Sequence, residues 1–378
     1  MIAVLDPGYE LILLLAGQDV TEERQARARE LVRAGGPRFP WATFLDQANQ
    51  HRVAALLSPQ VRALTAREGL PEFDPAVLSA LRAIHFYTAR RNEVMAGALA
   101  AVLTAADAAG VPVVVRKGGY LAYRVYRDPA LRPMGDLDVL VDRGRAAELL
   151  GVLTELGYAE GGRAAGETRP LSRRERLFWH LYGSDLPKLN RHTGDTARPV
   201  VSIDVNVSLA LPGKEFDIPV GPVLERATRQ ELVGAPAYVM DVEDTVIDLC
   251  SHIYKNSTAL RFMHAGKHRR LLKYVDVAEY LAANRDLVSW PGLVTRVAEA
   301  NLVAPVYYGL AHLALLFPAA VDVEALAELR GRCPDAEQLL SRFGQWDLPE
   351  PMTWEQPFPQ RLFDRAGDAL LPASRSLV

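Results

Sequence analysis

Residues 113–141 decide the fold and read VVVRKGGYLAYRVYRDPALRPMGDLDVLV. The run VPVVVR over 111–116 is short, apolar and β-branched, which predicts a buried strand. A glycine pair then leads into a helix predicted over 120–126, where tyrosines recur at every third residue. A second strand is predicted over 136–141 and a second helix over 145–156. This alternation of strands and helices predicts a layered domain that contains both element types.

Two aspartates give the second predicted strand its chemistry. Asp136 and Asp138 are two residues apart, so in a strand their side chains lie on the same face of the sheet. Neighbouring carboxylates repel each other, and a divalent cation such as Mg²⁺ removes that cost. Asp204, on the polar face of a later strand predicted over 199–209, supplies a third carboxylate. The alternative for the Asp-x-Asp pair by itself is a solvated strand edge with ordinary acids.

Basic and glycine residues close to the acids indicate a site for an anion. Lys117, Gly118 and Gly119 end the first strand and open the predicted helix, whose exposed amides could bind phosphate. Arg132 lies just before the acids and carries the planar guanidinium that pairs with phosphate oxygens. Carboxylates that hold two metal ions beside a triphosphate are the usual active-site arrangement for phosphoryl or nucleotidyl transfer.

Two other features are weaker candidates for nucleotide binding. His252 lies on the polar side of a predicted helix and could reach a phosphate or the acceptor, or could be a solvated or capping histidine. The basic run from Arg261 to Lys273 could clamp a triphosphate or an anionic acceptor such as tRNA. An exposed turn and helix start is the plainer interpretation of this run. Lys273 is its candidate nucleotide-binding residue, although it could simply pair with Asp276 one turn later.

The remaining sequence is mainly helical in prediction. Apolar spacing predicts helices over most of 7–109 and again from about 242 to 316. The segment 161–168 is rich in glycine and charge, which predicts a surface loop. Strands are predicted over 176–190 and, from clear alternation of apolar and polar residues, over 199–209.

Composition places the chain among ordinary globular proteins. Its 378 residues are 49% hydrophobic with a net charge of −3, which argues against a disulfide scaffold and against a surface coated for duplex nucleic acid. The two cysteines have no zinc-ligand spacing, and no P-loop, HExxH or GxSxG motif is present. The apolar run LILLLAG is far shorter than the roughly 20 residues of a membrane span. We therefore expect a cytoplasmic protein with no membrane partner.

Residues 113–158 resemble the bacterial uncharacterised nucleotidyltransferase family of the polymerase-beta-like superfamily. The positions that fit the family's pattern are Lys117, Gly118, Tyr126, Asp128, Pro129, Arg132, Asp136 and Asp138. A later family element, Glu-x-His-Trp, resembles the stretch Ile203-Asp204-Val205-Asn206. Asp204 keeps a carboxylate there, whereas Asn206 stands where the family has histidine. In all, the resemblance covers about 111–285.

This resemblance implies both a fold and a reaction. The implied fold is α+β, with a polymerase-beta-like core in which a small mixed sheet is flanked by N-terminal and C-terminal helical regions. Asp136, Asp138 and Asp204 would be the catalytic and metal-binding residues, with Mg²⁺ or alternatively Mn²⁺ as the cofactor. The implied reaction is attack of an acceptor hydroxyl on the α-phosphorus of an NTP, with ATP favoured as donor and pyrophosphate leaving.

The sequence also leads to expectations for the acceptor class and for the domain boundaries. A small-molecule acceptor is favoured, and a tRNA 3′ end or a protein side chain, as in toxin-type relatives, is the alternative. A catalytically silent nucleotide-binding protein with the same fold is a further alternative. Along the chain we expect a helical region over 1–110, the catalytic core over 111–240, a helical domain over 241–348 and a Pro-rich tail over 349–378.

Overall fold

The chain forms two compact units in a computed structural model. The structure describes residues 5–68, 73–164, 167–169, 171–174, 186–209, 211, 216, 218 and 220–372. One unit, here called the sheet unit, is Tyr87–Thr245. The other, the helical unit, combines Met1–Phe86 with Val246–Val378. The four regions predicted along the sequence stay a prediction.

The sheet unit is built on a mixed sheet that has seven strands within the described residues. Strands are numbered in chain order: β1 Val114–Arg116, β2 Leu137–Leu140, β3 Ala159–Glu160, β4 Gly162–Ala164, β5 Glu167–Arg169, β6 Leu189–His192, β7 Val200–Asn206, β8 Thr228–Leu232 and β9 Ala235–Val239. Their order across the sheet is β3-β6-β7-β2-β1-β9-β8. Strand β2 runs parallel to β7, and β1 runs parallel to β9, whereas the other neighbours are antiparallel. A mixed sheet with helices is consistent with the predicted α+β class.

The centre of this sheet is held by the apolar faces of β2 and β7. Leu137 and Val139 on β2, and Ile203 and Val205 on β7, are at most 1% exposed. Because side chains alternate along a strand, burying these residues leaves Asp138 and Asp204 on the opposite face. The same core includes Leu99 and other residues of the C-terminal part of the long helix Pro75–Ala108.

Standard end signals flank the first helix that contributes residues to the sheet unit. The long helix α5, Pro75–Ala108, has Asp74 before its first turn, and the Asp74 carboxylate accepts a hydrogen bond from the Ala76 amide at 2.7 Å. It is followed by Gly110 at φ +67°, a conformation that favours glycine. Further helices of this unit, within the described residues, include α6 Lys117–Arg124, α7 Ala146–Glu155 and α8 Val220–Arg226.

The helical unit contains short and medium helices from both ends of the chain. Those before α5 are α1 Pro7–Leu15, α2 Glu22–Gly35, α3 Trp41–Gln50 and α4 Ala54–Glu68. Those after α8 are α9 Val242–Thr258, α10 Leu260–His264, α11 Leu272–Ala283, α12 Trp290–Glu299, α13 Val303–Leu316, α14 Val323–Arg332, α15 Ala336–Leu339 and α16 Gln360–Phe363. A short strand pair joins β10 Arg342–Phe343 to β11 Met352–Thr353. Over the described part of the chain, no helix combines the length and the apolar character that crossing a bilayer needs.

Some local predictions differ from the structure. The loop predicted over 161–168 is wrong, because β4 and β5 pair antiparallel there and satisfy the backbone of a polar segment. The strand predicted over 176–190 falls largely on residues 175–185, which lie outside the described residues, and β6 begins at Leu189. The β8–β9 hairpin was not predicted.

Candidate active site

The sheet itself brings the three predicted carboxylates together. In the parallel pairing of β2 with β7, Asp138 lies directly beside Asp204. Asp136 precedes β2 by one residue and shares the face of Asp138, because Leu137 between them is buried in the core. Residues 66 and 68 positions apart in the sequence thus become near neighbours through strand register.

A lysine that the sequence analysis did not select connects two of these acids. The Lys188 ammonium lies 2.7 Å from Asp136 Oδ2 and 3.1 Å from Asp204 Oδ2. Lys188 comes directly before β6, and since Leu189 pairs with Ile203, the antiparallel register places Lys188 opposite Asp204. The available signal was rarity, because this is one of only six lysines in a chain with 43 basic residues.

The third acid is paired with a different lysine. Lys117 Nζ lies 2.6 Å from Asp138 Oδ1, and the two side chains are only 13% and 14% exposed. Lys117 opens α6 with φ +44°, in the left-handed region that non-glycine residues rarely adopt. A strained backbone of this kind persists where its surroundings hold it in place, and the partly buried ion pair with Asp138 is one such restraint. Each of the three carboxylates therefore has an ammonium partner.

The neighbouring charges and burial shift the pKa values of Asp204 and Asp136 in opposite directions. Partial burial raises the pKa of Asp204 to about 7, the Asp136 and Asp138 carboxylates add to the rise, and Lys188 only partly offsets it. Burial alone would also raise the pKa of Asp136, but the ammonium groups of Lys188 and Lys117 outweigh it and hold that pKa well below the usual range. The pKa of Lys188 is raised, because the two carboxylates outweigh its burial.

Glycines let a guanidinium approach the start of α6. A Cβ at position 118 would collide with Arg132 Nη1, so only glycine leaves room for this side chain beside the first turn. Arg132 is 9% exposed, and its carbonyl accepts a hydrogen bond from the Asn92 amide at 2.8 Å. At Gly119, a Cβ would lie 3.0 Å from Val115 Cγ1, so this position is tightly packed against β1. The structure thus brings Gly118, Gly119 and Arg132 together at one end of β1.

Asn206, at the position where the resemblance leads us to expect histidine, has contacts within the sheet. Its side-chain amide donates to the Val139 carbonyl and to the Asp204 carbonyl, both at 3.0 Å. The first bond links the end of β7 to β2, and the second lies within β7 beside Asp204. Asn206 thus helps to hold the pair of strands that carries the acids.

The donor chemistry of the cluster suits a hard divalent cation, but its present arrangement is closed. Carboxylate oxygens are the ligands that Mg²⁺ prefers. Among the described residues, no set of three or more His, Cys, Asp or Glu side chains is arranged to hold a metal ion. At the acid cluster, ammonium groups lie against the carboxylate oxygens. The assignment of Asp136, Asp138 and Asp204 as metal ligands stays a prediction.

His252 and Lys273 belong to the helical unit, so they are described apart from the acids. Lys273 Nζ donates to the Lys267 carbonyl at 2.7 Å. Within the same basic run, His268 and Arg269 both contact the Asp368 carboxylate. Internal contacts therefore account for part of this run, and nucleotide binding by His252 and Lys273 stays a prediction.

Comparison with known proteins gives a family for the chain. A search of curated proteins found no match. The family model described as uncharacterised nucleotidyltransferase matches residues 37–318, which is well over half of the chain and includes all three aspartates. The family's name and the acid cluster agree in supporting transferase chemistry. The chain therefore belongs to the uncharacterised nucleotidyltransferase family.

Proposed function

We propose that the chain is an NTP-dependent nucleotidyltransferase with a polymerase-beta-like core. It moves a nucleoside monophosphate, most readily AMP from ATP, to a hydroxyl of an acceptor and releases pyrophosphate. The observation that carries the proposal is the convergence of three carboxylates on one sheet face, with Asp138 and Asp204 on adjacent parallel strands. Family membership supports the same class of chemistry.

The proposed reaction forms one phosphorus–oxygen bond and breaks another. The acceptor oxygen attacks the α-phosphorus of the NTP, and the bond from that phosphorus to the oxygen bridging the β-phosphate breaks. Pyrophosphate leaves with the bonding electrons, and the acceptor proton passes to a nearby base, for which Asp204 is our candidate. The protein contributes mainly position and charge compensation, as is usual for phosphoryl and nucleotidyl transfer.

Each residue of the cluster has a proposed task. Asp136, Asp138 and Asp204 would hold Mg²⁺ or Mn²⁺, which would supply charge neutralisation to the triphosphate. Arg132, beside Gly118, is placed to pair with a phosphate oxygen, since a guanidinium matches phosphate geometry. Lys117 and Gly119 belong to the same first turn of α6. His252 and Lys273 are proposed as further nucleotide contacts.

The decisive experiment joins a substrate screen with an acid-to-amide variant. Each of the four NTPs is incubated with Mg²⁺ or Mn²⁺ and candidate acceptors, and a mass shift of one nucleoside monophosphate on the acceptor is sought. We expect Asp138→Asn to abolish transfer, by about 10³-fold or more, because it removes a charge that acts in the transition state. Its fold should persist, since buried apolar residues hold β2 against β7 and asparagine can still accept a hydrogen bond from Lys117.

Asp142→Asn is the matched control for this variant. Asp142 lies four residues further along, is exposed, and its carboxylate accepts a hydrogen bond from the Gly144 amide at 2.7 Å. Asparagine can make the same capping bond, so the control variant should keep full activity. Near-normal turnover in Asp138→Asn, with an acceptor that the unmodified enzyme labels, would refute the assignment.

A silent nucleotide-binding protein is the second candidate, and one observation favours it. Lys117 and Lys188 already neutralise the acids in the structure, as they would in a chain that had lost catalysis. Calorimetry with ATP and Mg²⁺ separates the two, when it is combined with the acceptor screen. Binding that depends on Asp138, without turnover for any acceptor class, favours the silent protein.

The acceptor class is the finest level of the proposal. A small molecule is favoured because the chain has no overall excess of positive charge for a large nucleic-acid footprint. A tRNA 3′ end and a protein side chain are the competing acceptors, so both are included in the screen. Binding of tRNA that weakens steeply with salt would move the proposal to the nucleic-acid acceptor.

A further inference from the structure

We propose that Lys188 is a displaceable internal cation of the acid cluster. Its ammonium occupies the place between Asp136 and Asp204 that a divalent cation takes, and it is released toward substrate phosphate when that cation binds. This inference deepens the proposed function and rests on it, because it concerns the same carboxylates. It gives a role to a residue that lies outside the motif shared with the family.

The geometry of the ion pairs is the first argument. One ammonium bridges a carboxylate just before β2 and a carboxylate on β7, at 2.7 Å from Asp136 and 3.1 Å from Asp204. Asp138, the remaining acid, is held separately by Lys117. A cation that contacts two carboxylate oxygens from separate elements is in the position that a bridging metal ion would need.

The second argument is that the ion pairs of Lys188 contribute little to the stability of the fold. The side chains of Lys188 and Asp136 are 36% and 37% exposed, and ion pairs in such partly solvated surroundings contribute little to the stability of a fold. The strands are already joined by backbone pairing and by buried apolar residues such as Ile203 and Val139. The bridge is therefore not needed to hold the sheet and can open at low cost.

The choice of lysine is the third argument. The chain uses arginine for most of its basic residues and has lysine at only six positions, two of which contact this acid cluster. Arginine would bind a carboxylate through a rigid two-pronged contact, whereas lysine carries a compact charge on a flexible stem. Lysine is thus the residue that can neutralise the acids and then move away.

The first test follows the amine directly in the unmodified protein. Limited acetylation with an amine-reactive reagent is measured by peptide mass spectrometry, with and without Mn²⁺ and without any nucleotide. We expect labelling of Lys188 to rise severalfold when Mn²⁺ is added, because the released ammonium becomes accessible. Lys255, in the helical unit, serves as the internal reference and should not change.

The second test measures the competition between lysine and metal. Mn²⁺ affinity is determined by the electron paramagnetic resonance signal of free Mn²⁺ for the unmodified protein and for Lys188→Met. Methionine is unbranched, one atom shorter than lysine and uncharged, so the variant should bind Mn²⁺ about tenfold more tightly, because no ammonium has to leave the site first. Arg229→Met, which breaks the exposed pair with Asp107, controls for the loss of one positive charge in the sheet unit.

The outcomes separate this inference from the function on which it rests. Tighter Mn²⁺ binding by Lys188→Met but not by Arg229→Met, together with increased labelling of Lys188, supports the displaceable cation. Equal or weaker binding by a folded Lys188→Met protein overturns it, as does unchanged labelling when Mn²⁺ is bound. If neither the unmodified protein nor the variant binds Mn²⁺, the metal-dependent function itself fails. Should Lys188→Met not fold, the labelling experiment alone decides.

Discussion

Gly118 is the residue at which backbone conformation and anion binding are most closely linked. An alanine Cβ there would displace the end of the Arg132 side chain, which is flexible enough to move. Alanine favours helices over glycine by about 1 kcal/mol, and this gain offsets the cost of moving the Arg132 side chain. The stability of the variant should therefore change little. We expect Gly118→Ala to raise the KM for NTP about tenfold through the displaced guanidinium, as measured by steady-state kinetics beside thermal unfolding.

A second glycine provides the control for this prediction. Gly151 lies within helix α7, and no atom stands within 4 Å of the position its Cβ would take. Gly151→Ala should therefore stabilise the protein slightly without any change in KM. If Gly118→Ala behaves in the same way as Gly151→Ala, Arg132 has no role in binding the triphosphate.

At this scale the sequence indicates the acids better than their partners. Asp136 and Asp138 could be selected because period-two alternation needs only local spacing, and Asp204 because its strand alternates clearly. Lys188 could not be selected in this way, since its contact with Asp136 joins residues 52 positions apart and depends on the β6–β7 register. Local patterns do not specify which strand will lie beside which.

Among the elements, the β8–β9 hairpin offers a test of turn chemistry. Its two-residue turn consists of Val233 at φ +50° and Gly234 at φ +77°. Left-handed backbone costs an ordinary L-residue about 1–2 kcal/mol, whereas asparagine and glycine tolerate it. Val233→Asn should therefore stabilise the protein by about 1 kcal/mol, despite the loss of some apolar packing by Val233. The measurement is the midpoint of urea unfolding.

The neighbouring residue supplies the opposite expectation. Gly234→Ala places a side chain at φ +77° and should destabilise the protein by about 1 kcal/mol or more. A lower midpoint for Val233→Asn than for the unmodified protein would show that packing by Val233 outweighs its backbone strain.

The same hairpin shows why some elements escape prediction. A two-residue turn of this type is usually formed by Asn-Gly or Asp-Gly, so the Val-Gly sequence does not predict it. By contrast, α5 begins after Asp74 and ends before Gly110, so its limits could be predicted from the usual capping residues. Elements with standard end signals or clear periodicity could be predicted, whereas this hairpin, whose turn lacks the usual residues, could not.

For the whole molecule, the division into units depends on contacts that no local pattern reveals. The helical unit is formed by the segments that come before and after the sheet unit in the sequence. Composition and periodicity indicate that both terminal regions are helical, but they cannot show that these regions form one unit. Buried polar residues within it are equally hard to predict, and His51 and His312 are two examples, each 1% exposed.

These two histidines make the stability of the helical unit depend on pH. Burial lowers the pKa of His51 to about 3, and the nearby Arg269 and Arg365 guanidinium groups add to this effect. Burial likewise lowers the pKa of His312 to about 3, with a further contribution from Arg361, which donates a hydrogen bond to His312 Nε2 at 2.7 Å. Both rings are therefore neutral in the folded protein at any pH above about 4.

The direction of this pH dependence follows from the difference in histidine pKa between the folded and the unfolded protein. In the unfolded chain each histidine titrates near pH 6.5, so between about pH 6.5 and 3 the unfolded state binds protons that the folded state does not. The free energy of unfolding should thus fall as the pH drops below 6.5, by up to about 1.4 kcal/mol per pH unit for each histidine. We expect His312→Gln to reduce this slope by that amount in urea unfolding at pH 5.0 to 6.0, followed by tryptophan fluorescence. An unchanged slope for a folded His312→Gln variant would show that the buried His312 ring does not contribute to the pH dependence.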